Sequence, residues 1–379
     1  MMAASPQFSR GLPWGRSITV AIAVFLLVAA CGGASESPDQ DASAPTTVAA
    51  DVDATTSTTT PTETTVPEPP APPVRLLPDG VETVLAVDYS THPVGPYGLA
   101  EFEEDYGRTN SFGVEQGRTE VDADDLGPYL RTTHPAGAFG AGRSGVSFQA
   151  KFPDQDEVIA EWLVYLEPGW SWGTGDRRGG KLGGLMLGPT LVSGGRVADG
   201  SEDGEGAGGS VRLTWTDDGK LEAYVYHLDQ SGEFGDKFDA AIVDGEGVTT
   251  TATSRDQPNP DDVVHWDVGR WQAMALRVKV NTPGLRDGEI DVYKDSERVL
   301  SVRELAWRSE GSDWGVSGFM HGFFFGGGAD TYAPKDTSYS RVADIRVAPT
   351  VDSVPIAPIT TTAPNGSEPS TDSAPSTTS

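Results

Sequence analysis

Between Val84 and Pro349 apolar side chains recur in short alternating or aromatic runs, and Gly, Asp, Asn or Pro interrupts each one. No stretch of ten or more residues carries an apolar repeat of 3.6, so nothing here predicts a long amphipathic helix. The runs predict strands over Val146–Phe152, Ala160–Leu166, Val211–Thr216, Leu221–His227, Trp271–Val280, Glu289–Lys294, Arg298–Val302, Gly318–Phe325 and Arg341–Val347. Strands at this spacing, with so many turn residues between them, imply an all-β fold of the β-sandwich or jelly-roll kind. No internal repeat points to a propeller or solenoid.

Both ends have a different composition. Residues 31–72 and 350–379 are built mainly from Thr, Ser, Ala, Pro, Asp and Glu. Such segments bury too little apolar surface to offset the entropy of ordering, and disorder is expected for both. The remaining 73–349 are enough for one domain with a substantial core. At the start, Arg10 and Arg16 precede an apolar run from Ile18 to Ala30. That run is shorter than the ~20 residues a membrane-spanning helix needs. It has the form of a signal peptide, 1–30. Val28-Ala29-Ala30-Cys31 resembles a bacterial lipobox. The resemblance implies cleavage before Cys31, a lipid on its thiol, and a protein anchored to the cell membrane on the extracytoplasmic face or later released from it. An uncleaved anchor helix with a buried cysteine is the alternative. Cys31 is the only cysteine, so no intramolecular disulfide can form. A net charge of −29 argues against nucleic acid as a partner. It leaves room for an anionic ligand wherever the surface is locally basic. A monomer is expected.

One hairpin can be derived residue by residue. Ser210–Thr216 and Lys220–Tyr226 flank Asp217-Asp218-Gly219. A three-residue loop ending in Gly pairs Ser210 with Tyr226, Arg212 with Tyr224, Thr214 with Glu222 and Thr216 with Lys220. The other face then carries Val211, Leu213, Trp215, Leu221, Ala223 and Val225, all apolar. A two-residue Asp-Gly turn would slip the register by one and mix the faces, which costs burial. The longer loop is therefore predicted, and it gathers Ser210, Arg212, Tyr224 and Tyr226 into one cross-strand cluster. Taken alone, such a cluster is also what a solvated sheet face with Tyr at β-favouring positions would contain.

The segment Gly179-Gly180-Lys181-Leu182-Gly183-Gly184-Leu185 resembles the Gly-Gly-Lys-Leu-Pro-Gly-Leu segment of polysaccharide lyase family 14. In that family a Ser-x-Arg strand follows the Lys, and Tyr-x-Tyr comes twelve residues after the Arg; Ser210, Arg212, Tyr224 and Tyr226 fall in that order and at that interval. Trp170-Ser171-Trp172, Gly269-Arg270-Trp271, Val280–Gly284 and Phe323–Gly327 extend the likeness over roughly 98–347. Gly183 replaces the family's Pro, and the Gly- and acid-rich loop 188–209 also departs from the pattern. The resemblance implies β-elimination on an anionic, uronate-containing polysaccharide, without a cofactor. That chemistry needs a cation or strong donor on the sugar carboxylate, a base for the C5 proton and an acid for the departing O4. Arg212 and Lys181 are the expected cations. Tyr224 is the expected base and acid, with a phenolate favoured by the nearby charges. Tyr226 would orient the sugar and Ser210 would hydrogen-bond it; whether Lys181 neutralises charge or shares the proton transfer stays open. His321, Asn281 and Lys335 are further candidate sugar contacts, with plain turn and surface roles the alternative for the last two.

Other signals are set against this reading. Glu289-Ile290-Asp291-Val292-Tyr293-Lys294 resembles the Glu-x-Asp-x-x-Glu strand of glycoside hydrolase family 16, but Lys294 replaces the closing Glu. A two-carboxylate hydrolase would lack its partner, so an ordinary strand is expected. Asp122, Asp124 and Asp125, and separately Asp199, Glu202, Asp203 and Glu205, lack full calcium-loop spacing. Solvated acidic loops are expected, and a structural calcium is the one metal the sequence leaves room for. The five His show no metal-ligand spacing. The rival functions are a non-catalytic carbohydrate-binding sandwich at the cell surface and a structural envelope domain.

Overall fold

The computed structural model describes residues 71–349 apart from 108–110, 176–177, 197, 200–205 and 255. The predicted signal peptide, Cys31, nearly all of the tether and the C-terminal tail lie outside the described residues. In chain order the elements are β1 (Leu85–Val87), β2 (Gly95–Pro96), α1 (Leu99–Tyr106), β3 (Thr119–Asp124), β4 (Gly127–His134), β5 (Val146–Gln155), β6 (Glu157–Leu166), β7 (Gly179–Leu187), β8 (Gly209–Thr216) and β9 (Lys220–Tyr226). They continue with β10 (Asp236–Asp239), β11 (Ile242–Val243), β12 (Glu246–Thr251), β13 (Trp271–Lys279), β14 (Gly288–Lys294), β15 (Glu297–Leu305), β16 (Val316–Phe325) and β17 (Ser338–Pro349).

These strands form two sheets. The smaller runs β10-β9-β8-β7-β16-β5, antiparallel throughout, and the larger runs β11-β12-β15-β14-β13-β6-β17-β4-β3-β2 with β1 also on β17. Trp162, Leu276 and Ile290 of the larger sheet share one buried cluster with Leu213, Trp215 and Phe319 of the smaller. The fold is the expected β-sandwich. The one α-helix among the described residues was not foreseen: α1 has eight residues, too few for a periodic signal, and buries Phe102 and Tyr106 against Phe148.

The β8–β9 register is the one derived above, from Ser210 opposite Tyr226 to Thr216 opposite Lys220. In the loop, Gly219 has φ +98° and Asp217 φ +45°, a region that Asp tolerates better than most residues. The inner face is sealed, with Val211, Leu213 and Trp215 at 0% exposure.

β7 is the less expected strand, because four of its nine residues are glycine. Close packing explains this. A Cβ on Gly180 would sit 1.9 Å from the Trp215 ring, and one on Gly184 2.3 Å from the Val211 carbonyl oxygen. Between Lys181 and Gly184 the register against β8 shifts by one, so that Lys181 opposes Thr214 and Gly184 opposes Arg212. Trp162 Nε1 crosses from the other sheet to donate to the Leu182 carbonyl at 3.1 Å, inside this bulge. Gly183 takes φ +101° there, with its Cβ position 2.7 Å from the Trp162 ring. A proline, fixed near −65°, could not adopt that conformation. The bulge thus brings Lys181 onto the face that carries Arg212 and Tyr224. Gly180→Ala is expected to lower the unfolding free energy by about 3 kcal/mol, at the upper end of ordinary overpacking costs. Chemical denaturation checks this: an unchanged midpoint would mean that the Trp215 ring can yield.

Candidate active site

Three strands contribute one side chain each to a shared patch. Lys181 of β7, Arg212 of β8 and Tyr224 of β9 all point away from the core, as the alternation of a pleated sheet requires. The Lys181 ammonium lies 5.4 Å from the centre of the Tyr224 ring and donates to the Gly326 carbonyl at 3.2 Å. The Arg212 guanidinium carbon lies 5.1 Å from the Tyr224 ring centre and 5.4 Å from that of Tyr226. The two phenol oxygens are 3.2 Å apart. Lys181 and Tyr224 line a hollow of about 500 Å³, while Arg212 lines a second of about 210 Å³ with Leu191, Ser193 and Phe324.

The electrostatics follow from crowding cations in a partly dry place. Burial, then the charges of Arg212 and Lys237, pull Lys181 down to about 7, against a smaller opposing pull from Glu222. A sizeable share of free amine is therefore present at neutral pH. Burial, followed by the hydrogen bond and charge of Tyr226, raises the Tyr224 phenol well above its ordinary value, and Arg212 only partly offsets this. Tyr224 therefore holds its proton, whereas the sequence led us to expect a phenolate. Arg212 is lowered by burial, but a guanidinium stays charged in any protein setting. Its Nε and Nη2 are closed off from solvent and have no hydrogen-bond partner among the described residues. Buried donors of this kind rarely go unused.

The family model of Polysaccharide lyase 14 matches residues 122–345, more than half of the chain. The chain belongs to this family. Among solved structures, the lyase resembles the alginate lyase Aly36B with 22% identity and a TM-score of 0.55, over 71% of this chain and 98% of that one. It also resembles the marine PL-14 alginate lyase from Aplysia kurodai, with 20% identity and a TM-score of 0.51 over 71% of this chain and 100% of that one. For the alginate lyase vAL-1 from Chlorella virus the values are 18% and 0.50 over 71% and 100%. At these identities the likeness shows a shared fold. A comparison with curated proteins finds no significant match.

The other residues expected in the site of the lyase fare differently. Ser210 and Tyr226 share the face of Arg212 but are sealed at 0% exposure. The segment after β7 lies over them: Ser210 Oγ donates to the Val192 carbonyl at 2.8 Å, and Gly195 N–H donates to the Tyr226 hydroxyl at 3.3 Å. Tyr226 also packs against Val192 and Ala198. Both residues brace the site here and neither reaches an open surface.

His321 does not line the groove. On β16 the alternation sends Met320, Gly322 and Phe324 to the groove and His321 inward. There it stacks on Phe148 at 4.6 Å, and burial lowers it to about 3, so it is a neutral core ring. Asn281 is likewise no sugar contact. Its side chain is fully buried, donates to the carbonyls of Thr282, Leu285 and Arg308, and accepts from the N–H groups of Trp307 and Arg308. Asn281→Ala is expected to cost about 3 kcal/mol of stability, because several buried backbone groups lose their partner at once. Thermal melts and KM together test this: a raised KM without a lowered Tm would restore a role in binding.

Trp170 is core, packed between His134, Trp215 and Phe325. The Glu289–Lys294 strand is structural, with Arg277 bridging Glu157, Glu289 and Asp291. Asp122 accepts from Tyr129, and Asp124 from Trp271 and Arg341, so protein donors already use these carboxylates. Of the second acidic loop, Glu202, Asp203 and Glu205 lie outside the described residues.

Sequence reasoning missed Arg178, Phe234, Lys237 and Tyr332, which line the larger hollow with Lys181. Lys237 sits opposite Tyr224 on β10. A four-residue strand in a Gly-rich stretch offers too little pattern to place it, although its parity relative to Tyr224 would have done so had β10 been recognised.

Proposed function

We propose that this polysaccharide lyase cuts an acidic, uronate-containing polysaccharide by β-elimination, with Arg212 on the carboxylate, Lys181 as base and Tyr224 as acid. The observation that carries this reading is the Arg212 guanidinium, which lines a hollow of about 210 Å³, beside an amine pulled down to about 7 and a phenol that keeps its proton. A uronate carboxylate in the hollow that Arg212 lines meets the charge of that guanidinium, and its neutralisation acidifies the C5 hydrogen. The free amine of Lys181 takes that proton. The C5–H electron pair becomes the C4=C5 double bond, the C4–O bond breaks, and the departing oxygen takes a proton from the Tyr224 hydroxyl. One sugar end leaves unsaturated and the other as a free hydroxyl. The alginate named in the similar structures is one candidate and glucuronan another. The test is ultraviolet absorbance of the unsaturated product from the purified protein with a panel of polyuronates. Product with at least one of them is expected. Retention of polymer without product would leave a binding module.

The same proposal places the enzyme on the extracytoplasmic face of a bacterial membrane, held through a lipid on Cys31. The lipobox-like Val28–Cys31 after a short apolar run supports this. Cys31→Ser is expected to abolish incorporation of labelled fatty acid and to move the protein from the membrane fraction to a soluble one. Undiminished labelling would remove the anchor.

A further inference from the structure

We propose that the hollow of about 500 Å³ beside Lys181 holds a uronate-binding subsite of its own, in which Phe234 covers the apolar face of a sugar ring while Lys237 and Arg178 take its carboxylate. The inference rests on an acidic polysaccharide as ligand, not on its turnover.

The charge of the lining is the first argument. In a chain of net charge −29, the charged residues lining this hollow are, among the described residues, Arg178, Lys181 and Lys237, with no carboxylate beside them. A neutral sugar would not need that excess. Lys237 stands opposite Tyr224 in the sheet, and its ammonium is held 3.1 Å from a Glu222 carboxylate oxygen while more than half of its side chain stays exposed. Arg178 is held by Asp218 and is also substantially exposed. Each cation is positioned and still has donors to offer.

The second argument is the ring. Phe234 is 57% exposed, which forfeits burial worth about 25 cal/mol per Å². Its loop is firmly braced. The Asp236 carboxylate accepts from Ser231 N–H and Oγ–H and bonds His227 Nε2 at 3.0 Å. The Gln230 side-chain amide donates through Nε2 to the Gly232 carbonyl at 2.8 Å and tightens the same turn. Gly235 lets the chain lie flat on the sheet: a Cβ there would fall 2.7 Å from the Val225 carbonyl and 2.8 Å from the Tyr226 ring. A braced loop that exposes an aromatic ring over a cationic hollow is preorganised for a flat ligand that is apolar on its face and anionic at its edge.

Binding is read directly by affinity electrophoresis in gels containing alginate or glucuronan, on a Tyr224→Phe background that slows turnover. Adding Phe234→Ala is expected to weaken retention about tenfold with an unchanged Tm, since the ring is exposed. Adding Lys237→Ala is expected to do the same at low salt, with the loss shrinking as salt screens the charge. Retention unaltered by both changes would overturn the subsite, as would a parent retained by neither polymer. If retention depends on Phe234 while the wild type yields no unsaturated product, the subsite stands and only the lyase chemistry proposed above falls.

Discussion

Lys181→Ala is expected to lower kcat/KM on a polyuronate by about 10³-fold, within the range general-base catalysis supplies. Wild-type activity should rise with pH up to about 7, where the ammonium gives way to free amine, and then level off. Lys181→Arg keeps a cation but cannot accept the proton, so it should be nearly as impaired as Ala. Activity in Lys181→Arg close to that of the wild type would assign Lys181 to charge neutralisation alone. A stability measurement gives an independent check. The folded amine binds its proton less tightly than the unfolded one, whose value is near ~10.4. Between these values the unfolded chain holds the extra proton, so folding stability increases as pH rises through the window and is lost as pH falls toward 7. Lys181→Met removes that penalty. It should therefore raise Tm at pH 7 and give a smaller gain near pH 10. Losing activity while gaining stability is what a functional, poorly solvated cation predicts.

How much of this could be read from the sequence depends on how local the determining physics is. The β8–β9 hairpin was legible because a single turn fixes its register and a slip of one residue would mix charged and apolar side chains on both faces, setting Arg212 against the core and Leu213 outside it. β7 was not legible as a strand, because its glycines are set by Trp215 and Trp162, residues far along the chain or in the other sheet. α1 was too short to show a period.

The site shows the same division. The face on which Lys181, Arg212 and Tyr224 converge followed from spacing and resemblance. Which of their neighbours stay open did not, since Ser210 and Tyr226 are covered by a segment whose path no local pattern specifies. His321 was misplaced by a single step of strand parity. Asn281 was misjudged because three of its five side-chain hydrogen bonds go to Trp307 and Arg308, which come beside it only in the folded domain. The protonation of Tyr224 also escaped: two nearby cations suggested a phenolate, but desolvation, which sequence does not report, outweighs them.

Arg212→Met separates the chemical role of this cation from any structural one. If Arg212 neutralises the substrate carboxylate, its loss removes stabilisation at the point where charge develops, worth about 10²–10³ in rate by analogy with other such donors. At about 1.4 kcal/mol per decade this is roughly 3–4 kcal/mol of barrier. The folded protein gains from the same change. Arg212 is 8% exposed, and its Nε and Nη2 have no acceptor. Replacing a buried, incompletely satisfied charge with an apolar chain of similar length is often stabilising by about 1–4 kcal/mol. Arg212→Lys should recover part of the activity, because it restores charge without the planar fork that grips a carboxylate. The variants are measured by initial rates of unsaturated product and by urea unfolding. A Met variant that is slower and more stable, with Lys between it and the wild type in rate, fits a cation kept for substrate. A Met variant that loses stability in proportion to its activity would make Arg212 a strut between the Tyr224 and Tyr226 rings and leave the carboxylate to Lys181.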